Sequence, residues 1–370
     1  MNNVKAKQNI ESKQNRNIED VKRSELLFFY DARMCNPNGD TEENKPRYDD
    51  ETHKVQVTEF RLKRTIRKYL KEIMDDEILL RQELDDKLEK EVGEMGFKRL
   101  PQLASDYIYP VTVKGKEILK IKKEEVIANH IDVRLFGILF PVEDVPFKMT
   151  GPVQFKMAQS LNIIDSDTDI IPVGMTSLVP NTKDEAGVSR GGSFGNKWIV
   201  RYAFLQHHGF VNNNVAKQIG LKTIDVKKML TAMWYGTDEL MTTSKFGQKS
   251  RLLIKVNYKD NGYLADLDLM SELDQTQKLE NITHVTLKLD GLLDYIYANK
   301  NLIESIEYEY NPILKCSYKE VKGNFEQVMK KWSESTQIPY SRIEHYFGAC
   351  SIEHYFREKK KDVIEKRNKS

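Results

Sequence analysis

"LLFFYDARMCNPNGDTEENKPR", residues 26–47, decides how the rest of the chain is read. Its first five residues form an unbroken apolar run, the pattern of a buried strand over 25–32. The remainder is polar and turn-rich, with Asn36-Pro37 and Asn38-Gly39 as strong turn signals. Two ligands are open for such a loop. The carboxylates Asp31, Asp40, Asp49 and Asp50 suggest a divalent ion, but EF-hand spacing is absent, which leaves them turn and surface roles. The glycine and the basic end Lys45-Pro46-Arg47 suggest a loop that touches a phosphate chain.

Working outward, "VTEFRLKRTIRKYLKEI", 57–73, predicts a helix capped by Thr58, with Glu59 in its first turn. Leu62, Ile66 and Tyr69 or Leu70 share one face, and Arg61, Lys63, Arg64, Arg67, Lys68 and Lys71 cover the rest. Residues 75–150 follow no single motif and read as an insertion. "GPVQFKMAQSLN", 151–162, alternates as a half-buried strand with Val153, Phe155 and Met157 on one face. A Gly-rich excursion over 163–196 is too long for an ordinary connection. Then come a strand at 198–206, a helix at 223–236 between a Thr223 cap and a Gly236 stop, and a strand at 251–258. The order strand, helix, strand, strand, helix, strand predicts an α+β fold with a ferredoxin-like or RRM-type βαββαβ core. Beyond 260 the pattern predicts further strands and a helix near 320–333. "IEHYF" occurs twice, at 343–347 and 352–356, too few copies for a solenoid.

Composition bounds the function. The 370 residues are 39% hydrophobic, enough for a real core, and 31% charged with a net charge of only +2. Nucleic acid would therefore bind local basic patches, not a global field. Three cysteines, none in a CxxC pair, argue against a disulfide framework and a cysteine zinc site, and fit a reducing cytoplasm. The polar first twenty residues lack the apolar centre of a secretory leader, and no apolar run approaches a membrane span. His207-His208, His345 and His354 have no partners at ligand spacing and read as structural. Metal and catalytic signals are weak, and no GxSxG or Cys/His nucleophile arrangement is visible.

Two stretches carry donors for phosphate or ribose: the basic helix, and the loop "TTSKFGQKSRLL" at 242–253. A solvated helix face and an ordinary connecting loop are the alternatives. "SRGGSFGNKW", 189–198, reads as an exposed hairpin tip, since it lacks the order of a nucleotide-binding loop. No RNP1 match is present, so base stacking on an open sheet face is not expected.

"YDARMCNPNGDTEENKPRYDDETHKVQVTEFRLKRTIRKYL" closely resembles the start of the CRISPR-associated Cas seven family in its subtype I-B form. "DVRLFG", "GPVQFKMAQSLN", "RGGSFGNKWIVRYAFLQHHGFVN" and "TTSKFGQKSRLLIKV" resemble its later blocks in the same order, from about residue 25 to 260. The resemblance implies a repeated backbone subunit of Cascade, the type I surveillance complex. Such a subunit binds the guide RNA (crRNA), polymerises along it head to tail, and presents the spacer to target DNA. It implies a disordered tail at 1–22, a palm at 23–74, 151–162 and 198–260, a helical finger insertion at 75–150 and a hairpin thumb at 163–197. Residues 261–356 would pack on the palm, and 357–370 would be a charged tail. The residues placed at the RNA are Asn38, Arg61, Lys63, Arg64, Arg67, Arg134, Gln154, Ser160, Arg190, Lys197, Ser244, Lys245, Gln248 and Lys249. Further partners implied are copies of the chain and the Cas five, Cas six, Cas eight and small-subunit families, with no cofactor and no membrane. Two alternatives are a type III relative that cuts bound RNA through a loop aspartate, Asp31 or Asp40, and a stand-alone RNA-binding protein.

Overall fold

The computed structural model describes residues 20–41, 44–83, 98–113, 116–140, 147–180, 192–274 and 277–347. The apolar run lies in β1 (Ser24–Cys35). It sits inside a ten-stranded sheet with β2 (Tyr48–Asp49), β3 (Lys54–Val57), β4 (Val153–Phe155), β5 (Ala158–Ser160), β6 (Ile170–Pro180), β7 (Gly192–Val211), β8 (Gln248–Tyr258), β9 (Ile303–Tyr310) and β10 (Tyr340–Arg342). The order is β10-β9-β8-β1-β7-β5-β3-β2, with β4 and β6 also paired to β7. Every pairing with β1 and β7 is antiparallel, and β9–β10 is parallel.

Both faces of β1 are buried, which is why its sequence does not alternate with polar residues. Leu26, Phe28 and Tyr30 face one core, together with Leu62, Ile66 and Leu70 of α1 (Glu59–Glu72) and Met229 and Met233 of α3 (Thr223–Asp238). Leu27 and Phe29 face a second core with Leu252, Ile254 and residues of the C-terminal third, among them Leu292 and Trp332. Each fully buried Phe contributes about 1.5–3 kcal/mol. The C-terminal third adds a four-stranded sheet, a helix at Asp290–Ala298 and α4 (Phe325–Thr336), while β9 and β10 extend the main sheet.

Thr58 caps α1 as expected, accepting from the Arg61 amide. Two other expectations for 151–258 need correction. Residues 151–162 form two strands, and pairing with β7 slips by one residue between Phe155–Gly209 and Ser160–Leu205. That bulge reverses the face, so Met157 is exposed and Ala158 buried. Gly236 does not stop α3, which runs to Asp238 with Lys222 as its N-cap. A Cβ at Gly236 would lie 3.0 Å from the Tyr69 Cβ, so the glycine serves close packing of α3 on α1.

Within 75–150 the described residues mix short helices with two hairpins, Ile108–Val113 with Lys116–Ile121 and Gly137–Phe140 with Phe147–Thr150, where a helical insertion was expected. "DVRLFGILF" is split by Gly137 at φ 81°, which ends α2 (Ile131–Phe136) and starts a strand. Asp132 fastens this unit to α1: its buried carboxylate accepts from the Leu79 and Leu80 amides at 3.0 and 3.1 Å and from Arg67 Nε at 3.0 Å. The excursion over 163–197 contains an antiparallel pair, β6 with β7, in register from Ile170–Val200 to Thr176–Phe194. β1 pairs with β7 only from Val200 onward, so β7 below that point is bonded to β6 alone and the ribbon extends past the sheet. Of the expected tails, 1–19 and 357–370 lie outside the described residues. Val21 packs against the first core and Lys22 pairs with Glu304 at 2.8 Å, so both belong to the fold. No helix among the described residues is long and apolar enough to cross a membrane.

A buried charge cluster locks the C-terminal third to the sheet. Glu25 accepts from Tyr258 Oη and from the Leu264 and Ala265 amides, and lies 2.9 Å from His208 Nε2. His208 Nδ1 lies 2.9 Å from Asp268, which also meets Lys156 at 3.1 Å. Burial alone would lower the His208 pKa, but two carboxylates outweigh it and the net shift is upward. The contribution of His208 is therefore fully present below about pH 6.5 and is lost as the pH rises through its folded value, while that of the lowered Glu25 and Asp268 carboxyls is lost on the acid side. Thermal melts of wild type are expected to lose stability on the alkaline side. His208→Gln should melt lower at pH 6 and show a flatter alkaline limb; an unchanged limb would place the titration elsewhere.

Candidate nucleic-acid interface

Four segments converge at the end of the sheet where β1 finishes. The polar loop after β1 is bonded to the loop before β8: the Asn36 amide donates to the Ser244 carbonyl at 2.8 Å, the Arg33 amide to the Gly247 carbonyl at 3.0 Å, and Lys245 Nζ to the Asn36 carbonyl at 2.6 Å. Gly247 has φ 122°, and a Cβ there would meet the Arg33 carbonyl oxygen at 2.3 Å, so only glycine lets the loops close. Asn38 Oδ1 accepts from the Thr58 amide and hydroxyl at 3.1 and 3.0 Å, which ties the same loop to the α1 cap. The base of the long ribbon completes the group, with Lys197 Nζ bonded to the Thr243 carbonyl and Lys45 Nζ 4.6 Å from the Trp198 ring centroid.

Apart from Lys197 at the ribbon base and Arg190, the predicted residues divide into two sets. Lys63 is buried and donates to Gln154 Oε1 at 2.9 Å; Gln154 donates in turn to the Gly151 carbonyl. Arg67 pairs with Asp132, Arg134 with Asp225 at 3.0 Å, and Lys249 with Asp238 at 2.8 Å. Ser160 is fully buried and accepts from the Val55 amide. Asn38 and Gln248 are buried too, each bonding backbone. These residues hold loops and elements together. Arg190 lies outside the described residues.

The second set is Arg61, Arg64 and Lys245, with the partly exposed Ser244 beside them. Among the described residues none of these three cations has a carboxylate partner. Arg61 donates to Thr65 Oγ1 and Arg64 to Gln82 Oε1, both neutral. Burial first, then repulsion from Arg61 and Arg64, depresses the Lys245 pKa to about 8. Burial is the larger cause, and the proximity of the three cations adds a repulsion that an anion beside them would relieve. Beyond Arg64 the cleft beside α1 is lined by Lys68, Lys71, Arg81 and Lys98, each paired with a carboxylate: Glu72, Glu77, Glu83 and Glu83.

The sequence reading passed over Arg33, Phe60 and Phe246. Arg33 is exposed at the end of β1, and Phe60 and Phe246 are 70% and 68% exposed beside Arg61 and Lys245. The signal for Phe60 was its position out of phase with Leu62, Ile66 and Tyr69. The loop-aspartate expectation also fails for Asp31. It lies within β1, buried, bonded by Tyr202 Oη at 3.0 Å and paired with Arg251 at 2.9 Å, and burial raises its pKa. Asp40 does lie in the loop, paired with Arg47 at 3.2 Å. No cluster of three or more metal-ligating side chains occurs among the described residues.

The sequence profile of the family "CRISPR-associated protein Cas7" matches residues 22–290. The chain belongs to the Cas7 family. A relative from Haloferax volcanii, described as CRISPR-associated protein Cas7, is 28% identical over 308 residues, covering 77% of this chain and 86% of the relative. Among solved structures, a chain from a CRISPR RNA-guided surveillance complex in a pre-nicking state aligns over 85% of this chain and all of its own, with 10% identity and a TM-score of 0.46. A chain of a type III-B Cmr-beta complex bound to cognate target RNA aligns over 68% and 67% with a TM-score of 0.34. The family match spans every element that builds the loop cluster, from β1 through α1 and β7 to β8.

Gly247→Ala is expected to part the two loops without touching the cores. Hydrogen exchange at the Arg33 and Asn36 amides should speed up markedly while β8 amides stay protected; unchanged exchange would remove the steric argument.

Proposed function

We propose that this Cas7 chain is the repeated guide-RNA backbone subunit of a Cascade-type surveillance complex of subtype I-B. In this reading the antiparallel order β8-β1-β7-β5, with α1 and α3 on one face, is a ferredoxin-like palm. Residues 75–150 are the fingers, and the β6–β7 ribbon is the thumb that reaches toward a neighbouring copy. The observation that carries the reading is the cluster Arg61, Arg64 and Lys245 at the end of the sheet, cations without carboxylate partners among the described residues.

A subunit that must hold any guide needs contacts to phosphate and sugar and must leave base edges free. The cations supply the charge, Ser244 and loop amides supply neutral donors, and exposed Phe60 and Phe246 offer apolar surface for sugars or bases. The sheet itself is not used, because helices cover one face and the C-terminal third covers the other. The subunit acts without catalysis of its own: target DNA pairs with the guide it presents. Its partners are the guide, copies of itself in a head-to-tail filament, and the other subunits of the complex. The type III alternative loses ground because Asp31 is sealed in the sheet beside Arg251.

Titration of the protein onto labelled guide RNA, read by native gel with complementary target RNA and magnesium present, is expected to give a ladder of multimers and intact target. Regular target cuts would move the chain to the nuclease class. Arg61→Ala, Arg64→Ala and Lys245→Ala together should weaken binding for every guide sequence and lower the slope of log affinity against log salt by about 2, from roughly 0.7 per lost phosphate contact. Replacing the β6–β7 ribbon beyond Gly174 with a short turn should leave RNA binding by single copies but abolish ladders. Normal ladders would refute the thumb assignment.

A further inference from the structure

The repeated pentapeptide has a structural reading independent of RNA binding. Its first copy, 343–347, is docked across α3 and β9, and each of its five residues is engaged there. The Ile343 side chain is buried in the first core and its amide donates to the Tyr308 carbonyl at 2.8 Å. Glu344 pairs with Lys227 at 2.5 Å. His345 Nε2 lies 3.1 Å from Glu309 Oε2, and its ring packs edge-on against Tyr235 at 5.1 Å. The Tyr346 amide donates to Thr231 Oγ1 at 2.8 Å, with Lys228 Nζ 5.0 Å from the Tyr346 ring centroid. Phe347 packs on Tyr235 at 5.2 Å.

The dock therefore reads Ile, Glu, His, Tyr and Phe in that order, and the chain carries the same five residues again at 352–356. The flanking residues are not repeated. Arg342, which pairs with Glu309 and lies 4.6 Å from the Tyr310 ring centroid, corresponds to Ser351. Pro339 and Tyr340 correspond to Gly348 and Ala349. The flank thus favours the first copy, while the dock by itself does not distinguish the two. Moving the second copy into place needs only that the nine intervening residues loop out, a closure whose entropic cost grows slowly with length.

We propose that the C-terminal strap has two registers on one dock, with residues 352–356 of the same chain able to replace 343–347. The slip changes what leaves the dock. In the first register the chain continues from Gly348; in the second it continues directly into "REKKKDVIEKRNKS", which brings that lysine-rich stretch nine residues closer to α3.

Ile343→Asp expels the first copy by placing a carboxylate in the core. Exchange of the Ile352 and Tyr355 amides in the full-length variant is then expected to slow by about tenfold relative to wild type, with melting lowered by only a few degrees. Adding Ile352→Asp should abolish that protection and lower melting much further, a non-additive result since Ile352→Asp alone is silent. If Ile343→Asp is as damaging as the double variant and 352–356 stays unprotected, the dock has one register. His345→Ala and His354→Ala, singly and together, apply the same comparison with less risk to folding. Equal melting of His345→Ala and the double histidine variant overturns the proposal.

Discussion

The structure depends on β1 being buried on both faces. Residues 26–30 offer no polar side, so the sheet needs a cover on each. α1 and α3 provide one, and the C-terminal third provides the other. Once both faces are spent on cores, polar chemistry moves to the ends of the strands. There, backbone groups of connecting loops are unpaired by the ladder and must find partners among themselves. The loops after β1 and before β8 solve this by bonding to each other, and that closure gathers the cations.

Electrostatics then sorts those cations. Three inward-pointing cations are each held by a carboxylate, Asp132 for Arg67, Asp225 for Arg134 and Asp31 for Arg251, while the buried Lys63 bonds the neutral Gln154. These pairs fasten the insertion to α1, α2 to α3, and β8 to β1. Among the described residues Arg61, Arg64 and Lys245 have no such partner and repel one another. Density of lysine and arginine in α1 is thus a poor guide to which of them lack a carboxylate partner.

The same principle explains the C-terminal third. It is not an appendage, since Glu25 on β1 holds the 264–268 segment through two amides and, by way of His208, Asp268. With both sheet faces covered, the aromatic residues of β1 and β7, Phe28, Phe29, Tyr30, Tyr202 and Phe204, are core residues.

The sequence by itself determined the order of the main elements, the capped basic helix, and family membership. These rest on local signals: hydrophobic period, turn chemistry and blocks of residues in register. It did not determine which polar residues stay available. Ser160, Lys63 and Arg134 read as donors, yet each is bonded to a partner far away in sequence: Val55 for Ser160, Gln154 for Lys63 and Asp225 for Arg134. The bulge that turns Met157 outward, the close contact that puts Gly236 inside α3, and the burial of Asp31 were likewise decided only in three dimensions. Each depends on what a strand or helix meets, and desolvation and pairing are properties of the packed chain, not of the residue alone.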